Sequence, residues 1–374
     1  MPGSPITRRL FLGATAAAAA GCASVRAGPA PRLRLLGETT LPHGLQFRGT
    51  TVGGLSALDL DGATGLWYAL SDDRSELQPA RFYALRLDVG PRGIGVPELV
   101  DVVTLRQPGG GAPYPRRGQG AEVPDPEAMR WRAETGTLLW TSEGDGRAGL
   151  DPFIREVRAD GSHLRAFSLP PMFAMSQAPG HGPRDNLTFE GLAITPDGRN
   201  VWVSMEAALR QDGPAPSFGV PGGPCRFTLF DMDSGKAVRQ IAYLPDAIPR
   251  ASVPVGAYAD NGISEVLMLD ARRMLVLERA YMTGVGNSLR LYLIDTSSAS
   301  DTLAQPQLPP GGYRAAAKTL VADFSQTGLA RLDNTEGMCW GPVLPGGGRS
   351  IVFVSDDNFN PRQVTQFVAF EFLD

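Results

Sequence analysis

Glutamate and aspartate recur along this chain in pairs whose spacing would gather them around one point. Glu127 stands 16 residues before Glu143, Glu190 stands 16 before Glu206, and Ser56 stands 16 before Asp72. Two further pairs depart from that interval, Glu265 to Glu278 at 13 and Glu336 to Asp356 at 20. Carboxylates collected in one cleft repel one another, so they must take up protons or hold a cation. A hard cation with six to eight oxygen ligands satisfies them, and Asp, Glu, Asn and backbone carbonyls are the oxygen donors that suit Ca2+. Glu127, Glu143, Glu190, Glu265, Glu336 and Asp356 are therefore the candidate metal ligands. Glu190, Glu206 and Asp72 are the candidate catalytic carboxylates, placed to act on water at such a centre. Arg74 directly follows Asp72-Asp73 and Arg279 directly follows Glu278. Their planar guanidinium groups suit the anionic part of a substrate.

Other chemistries find little support. The chain has three histidines, His43, His163 and His181, none in metal-ligand spacing, which argues against zinc or iron. There is no Gly-x-Ser-x-Gly elbow, no His-Glu-x-x-His, no Gly-x-x-x-x-Gly-Lys and no Ser-x-x-Lys. Ser56 thus reads as a strand-opening residue and not as a nucleophile. A single acid at a strand end most often accepts a turn N–H or pairs with arginine. Recurrence at matched positions needs a shared reason, either a common ion or a hydrogen bond repeated from copy to copy.

The elements that carry these acids are short apolar runs. Five times a polar turn opens one run and a carboxylate closes the next, as in Asn186-Leu187-Thr188-Phe189-Glu190-Gly191-Leu192 followed by Val201-Trp202-Val203-Ser204-Met205-Glu206. The opening positions 56, 127, 190, 265 and 336 are 71, 63, 75 and 71 residues apart. Strand-rich repeats of this kind point to an all-β fold, a β-propeller. The period exceeds the roughly 40–50 residues of a common four-stranded blade, which leaves five blades with long loops or six with one unmarked. Pro/Gly-rich stretches at 107–126, 170–184, 211–225, 305–312 and 341–348 supply such loops. The chain both begins and ends on β-prone segments, so the strand near 32–36 is expected to complete the sheet built from 364–372. That closure would remove two exposed edges.

Thr7-Arg8-Arg9-Leu10-Phe11-Leu12 followed by an apolar run to Ala20 has the pattern of a twin-arginine export signal. Ala19-Ala20-Gly21-Cys22 is similar to a lipoprotein cleavage site, with Cys22 the residue to be lipidated. The expected organisation is an export signal at 1–22, a tether at 23–31 and one propeller domain at 32–374, located in the periplasm or cell envelope, with a lipid anchor through Cys22. Beyond the leader the chain is acidic and has no basic tract, which excludes nucleic acid as a partner. Cys225 and Cys339 are too few for a disulfide scaffold and are either bridged or buried thiols.

Several segments together resemble a known family: Gly53-Gly54-Leu55-Ser56-Ala57-Leu58, Leu70-Ser71-Asp72-Asp73-Arg74, Asn186 to Leu192, Asn334-Thr335-Glu336-Gly337-Met338 and Val354-Ser355-Asp356-Asp357-Asn358-Phe359. They look like the phytase-like family described as having esterase-like activity, over about residues 45 to 372. The resemblance implies an exported bacterial propeller related in architecture to calcium-dependent β-propeller phytases. Lys236 and Lys318 are the only lysines, so there is no lysine-rich cluster of the kind inositol phosphates would want. The expected function is a metal-dependent hydrolase of phosphoric or carboxylic esters, monomeric and acting on a small anionic or ester substrate. The alternative is a non-catalytic envelope propeller that binds a ligand or protein and uses calcium structurally.

Overall fold

The computed structural model describes residues 1, 3, 31–119, 122–175 and 178–374. The arginine pair of the leader and Cys22 lie outside the described residues. Pro31–Asp374 forms one compact unit of five four-stranded antiparallel sheets, with two small hairpins added. No α-helix occurs among the described residues, and none of their helices is long and apolar enough to cross a membrane.

Blade 1 runs outward through Leu55–Asp61, Leu66–Ser71, Arg81–Arg86 and Glu98–Thr104. Blade 2 comprises Pro126–Arg132, Thr137–Ser142, Phe153–Arg158 and His163–Ala166. Blade 3 comprises Phe189–Ile194, Asn200–Met205, Cys225–Asp231 and Ala237–Tyr243; blade 4 comprises Ala259–Met268, Arg273–Met282, Gly286–Asp295 and Lys318–Asp323. Blade 5 takes Asn334–Val343, Arg349–Asp356 and Thr365–Leu373 from the end of the chain and its outermost strand, Arg32–Leu41, from the beginning. Arg32 pairs with Leu373 and Leu41 with Thr365, so the ring closes as expected. The long repeat period resolves into five blades with extended loops, and no sixth occurs among the described residues.

Closure follows from strands that are apolar on both faces. Within Leu66–Ser71, Trp67 and Ala69 pack toward blade 5 while Tyr68 and Leu70 pack toward blade 2. Five hydrophobic clusters result, one at each blade interface. A blade covered on both sides needs no polar face, which is why these strands read as unbroken apolar runs and not as alternating ones. Cys225 lies in the cluster between blades 3 and 4 and Cys339 in the one between blades 5 and 1, both as free buried thiols.

The axis itself is crossed by an ion pair. Arg130, on the inner strand of blade 2, places one guanidinium nitrogen 2.7 Å from Glu265 Oε2 of blade 4. The same side chain donates to the carbonyls of Leu58 at 3.2 Å, Val266 at 3.1 Å and Met338 at 3.0 Å, reaching blades 1, 4 and 5. Removing one partner of a buried pair leaves the other charge unpaired at a cost of about 3–5 kcal/mol. Glu265→Ala is therefore expected to lower unfolding free energy by roughly that amount in chemical denaturation.

Candidate functional site

A β-bulge interrupts every inner strand. The ladder shifts register between Leu55 and Ala57, Pro126 and Met129, Phe189 and Gly191, Ile263 and Glu265, and Thr335 and Gly337. The residues left out of register include Ser56, Glu127, Glu190, Ser264 and Glu336. Bulges re-aim side chains, and here they turn three glutamates toward one end of the axis. In blades 1 and 4 the bulge residue is serine. Ser56 Oγ donates to Pro126 O and Ser264 Oγ to Thr335 O, each at 3.3 Å, so both act as blade-to-blade ties.

A second ring is formed by the residues that follow the next strand's pairing with the pre-bulge position: Asp72, Glu143, Glu206, Arg279 and Asp356. Asp72, Glu143 and Glu206 donate their backbone N–H to Gly54, Asp125 and Thr188 carbonyls at 2.7, 2.9 and 2.6 Å, and Arg279 and Asp356 pair in register with Gly262 and Asn334. The fourth copy therefore contributes an arginine where the others contribute acids. Its acid-rich sequence marks lie one position away on each strand. Because side chains alternate between faces of a strand, Glu265 points into the axis against Arg130, its Oε1 accepting from Leu192 N at 3.0 Å and Val266 N at 2.9 Å. Glu278 turns to Tyr243 Oη, Asp246 N, Asn261 Nδ2 and Lys318 Nζ. Glu265, expected as a metal ligand, is thus not brought to the carboxylate cluster.

The cluster gathers three of the expected ligands, Glu127, Glu143 and Glu190, and adds Asp125 and Glu206, while Glu336 and Asp356 lie beside it. Asp125, Glu127 and Glu143 each offer a carboxylate oxygen within 4.8 Å of the others, and so do Glu143, Glu190 and Glu206. Glu143 belongs to both trios. One of its oxygens accepts from Thr188 N, and Oε2 is buried with no hydrogen-bond partner. Nearby, Asn334 Nδ2 ties Glu336 at 2.8 Å to Asp356 at 3.1 Å. Space for this packing comes from glycine: a Cβ at Gly54 would overlap Asp72 Oδ1, and one at Gly262 would overlap Glu206 Cγ. Gly262→Ala is expected to displace Glu206 and to lower the melting temperature in scanning calorimetry, although no carboxylate is removed.

The electrostatics follow from burial. Burial first, then neighbouring carboxylates, push Asp72, Glu127, Glu143, Glu190 and Asp356 well above the usual carboxylate range. Asp125 is pushed up to about 7 by burial, held back by Arg74; Glu206 is pushed up to about 8 by burial, held back by Arg279. Asp125 shares a hydrogen bond with Glu127, as Glu206 does with Glu190, contacts that need a proton or a cation between the oxygens. An all-oxygen donor set, an orphaned buried oxygen and two overlapping trios fit hard divalent cations.

Above the cluster opens a cavity of about 700 Å3. Its lining includes Asp72, Glu127, Glu190, Glu206 and Glu336, both expected substrate-binding arginines, and Arg331 and Arg362. Arg74 lies 2.5 Å from Asp125 Oδ2 and also donates to Asn186 Oδ1; Arg279 lies 3.4 Å from Glu206 and 3.5 Å from Glu336. Burial opposes the charge on Arg279, but Glu336, Glu206, Asp260 and Glu190 outweigh it and hold the side chain protonated. No histidine lines the cavity. In each Asp-Asp pair only the first residue belongs to the ring. Asp73 accepts from three loop N–H groups and Arg81, and Asp357 Oδ1 accepts from Gly54 N at 2.9 Å and Phe359 N at 3.1 Å. Sequence reasoning missed Asp125, Arg130 and Arg331. Asp125 had one available signal, standing two residues before an already marked glutamate.

Fold and site together define a five-bladed β-propeller with a carboxylate-rich cavity at one end of its axis. The chain matches the phytase-like family, described as esterase-like activity of phytase, over residues 50–359, and belongs to that family. No curated protein matches it. Solved structures similar to it include hydrazine synthase of Kuenenia stuttgartiensis (12% identity, TM-score 0.36) and a bifunctional GH43-CE protein of Bacteroides eggerthii (9%, 0.42). A third is the periplasmic gluconolactonase PpgL of Pseudomonas aeruginosa (12%, 0.36). These cover 80%, 84% and 87% of the chain, which spans 64%, 33% and 90% of their respective lengths.

Proposed function

We propose that this protein is an exported, calcium-dependent hydrolase of phosphoric or carboxylic esters. The observation that carries the reading is Glu143, buried with one oxygen unpartnered and shared by two carboxylate trios whose members Glu127, Glu190 and Glu206 line a large polar cavity. Asp125, Glu127, Glu143, Glu190 and Glu206 would hold the cations. When bound, such ions supply Lewis acidity toward an ester oxygen and toward water.

The chain's own groups do the rest. Glu336 and Asp356, locked together by Asn334, and Asp72 extend the negative ring beside the trios. Arg279, held charged between Glu206 and Glu336, and Arg74, on Asp125, face the same cavity and would orient an anionic ester. Family membership supports ester chemistry, and the twin-arginine pattern with Cys22 supports export to the envelope. The test is elemental analysis followed by turnover on phosphomonoesters, phosphodiesters, lactones and aryl esters, with and without chelator. Calcium-dependent cleavage of at least one class is expected. Bound calcium with no turnover on the whole panel would leave a ligand-binding propeller.

A further inference from the structure

One wall of the cavity differs from the rest. Tyr258 and Tyr281 line it with 65% and 37% of their surface exposed, their ring centroids 6.3 Å apart and their planes tilted by 37°. Asp260 fixes both residues, its Oδ2 accepting from Tyr258 Oη at 2.5 Å and its Oδ1 from Tyr281 N at 2.9 Å. Two anchored aromatic faces in a cavity otherwise rich in charge make a preorganised platform, and flat rings stack on such faces irrespective of charge. Asn287, the register partner of Tyr281 on the next strand, lines the same cavity, and its Oδ1 is buried with no hydrogen-bond partner. An acceptor beside an aromatic platform suits a ring that has a donating edge. Arg279, Arg331 and Arg362 share the cavity with the carboxylates and suit a phosphoryl group. The volume of about 700 Å3 lies within the roughly 300–1,000 Å3 range of small-molecule sites.

We propose that the substrate is a phosphoric ester whose alcohol part carries a flat heteroaromatic ring with an N–H or amino edge, the class represented by nucleoside phosphates. The ring rests on Tyr258 and Tyr281, its edge donates to Asn287 Oδ1, and its phosphate lies toward the carboxylates and arginines. This rests on the ester-hydrolase reading and names the substrate class of that site.

The test measures kcat/KM of the calcium-loaded protein for AMP, glucose 6-phosphate and glycerol 3-phosphate, and separately the calorimetric affinity for AMP. Wild type, Tyr281→Ala and Asn287→Ala are compared. AMP is expected to be preferred, and Tyr281→Ala to lower the ratio of AMP to glycerol 3-phosphate by about tenfold or more. Asn287→Ala should lower the same ratio, which keeps the test open should the tyrosine variant fold poorly. If no ester turns over but AMP binds, and binds about tenfold more weakly to Tyr281→Ala, the ring site stands and the hydrolase reading falls. Equal kcat/KM for the three esters, or a loss that is equal for all in both variants, overturns the ring site and leaves the hydrolase reading in place. Absence of AMP binding overturns it outright.

Discussion

In excess chelator the protein is expected to lose thermal stability as pH rises from 5 to 8, and millimolar calcium is expected to abolish that loss. The sign comes from proton linkage. Glu206 has an ordinary value of 4.5 and is raised to about 8 in the fold, and Asp125 is raised from 3.8 to about 7. Between those limits the folded state binds more protons than the unfolded one, so the free energy of unfolding falls as pH rises. The stabilisation is complete below the unfolded values and gone once pH passes the folded ones. Asp72, Glu127, Glu143, Glu190 and Asp356 shift in the same direction. A melting temperature lower by on the order of 10 °C at pH 8 than at pH 5 is expected in scanning calorimetry. A cation that binds only the folded protein replaces those protons and restores stability by mass action. A flat chelator profile, with no change on adding calcium, would remove cation binding from the account.

Glu143→Gln is expected to separate stability from function by moving them in opposite directions. The amide conserves shape and removes a negative charge that both trios share. In chelator at pH 8 the variant should melt higher than wild type, because repulsion with Asp125 and Glu206 is relieved. Its calcium affinity should fall by about 100-fold or more, since even residues that merely orient metal ligands are worth 10–100-fold, and turnover should fall with it. Glu190→Gln should follow the same pattern through the second trio. Ser56→Ala is expected to be mild by comparison, because Ser56 Oγ is spent on the Pro126 carbonyl. The opposite ranking, an inactive Ser56→Ala with a covalent adduct on that serine and no effect of chelator, would replace the metal mechanism with a serine esterase.

Sequence alone determined the class of the fold and most of the acids that gather in it. The 16-residue interval from Ser56 to Asp72, Glu127 to Glu143 and Glu190 to Glu206 is the span from an inner-strand bulge across one hairpin to the second ring. Equal spans with equal register must superpose under the ring's rotation, so those positions were readable without coordinates. The wider interval from Glu336 to Asp356 still marked the right pair, because the extra residues lie beyond the bulge, largely in longer strands with a second register shift between Trp340 and Val343, and leave Asn334 paired with Asp356. Closure by the terminal strands was readable for a similar reason, since a ring needs both ends on one sheet.

The fourth copy was not readable. Its Ser264 and Arg279 occupy the places that Glu265 and Glu278 mark in the sequence, and a shift of one residue reverses which way a strand side chain points. Nothing in Asn261-Gly262-Ile263-Ser264-Glu265 says which polar residue takes the bulge. Only pairing with Arg273–Met282 decides it, and that pairing sends Glu265 down the axis to Arg130. Arg130 was hidden because it acts across blades, where sequence distance carries no information. Blade number and the separation of Cys225 from Cys339 depend likewise on which faces meet when the ring closes, and that is decided by packing between blades far apart in the chain.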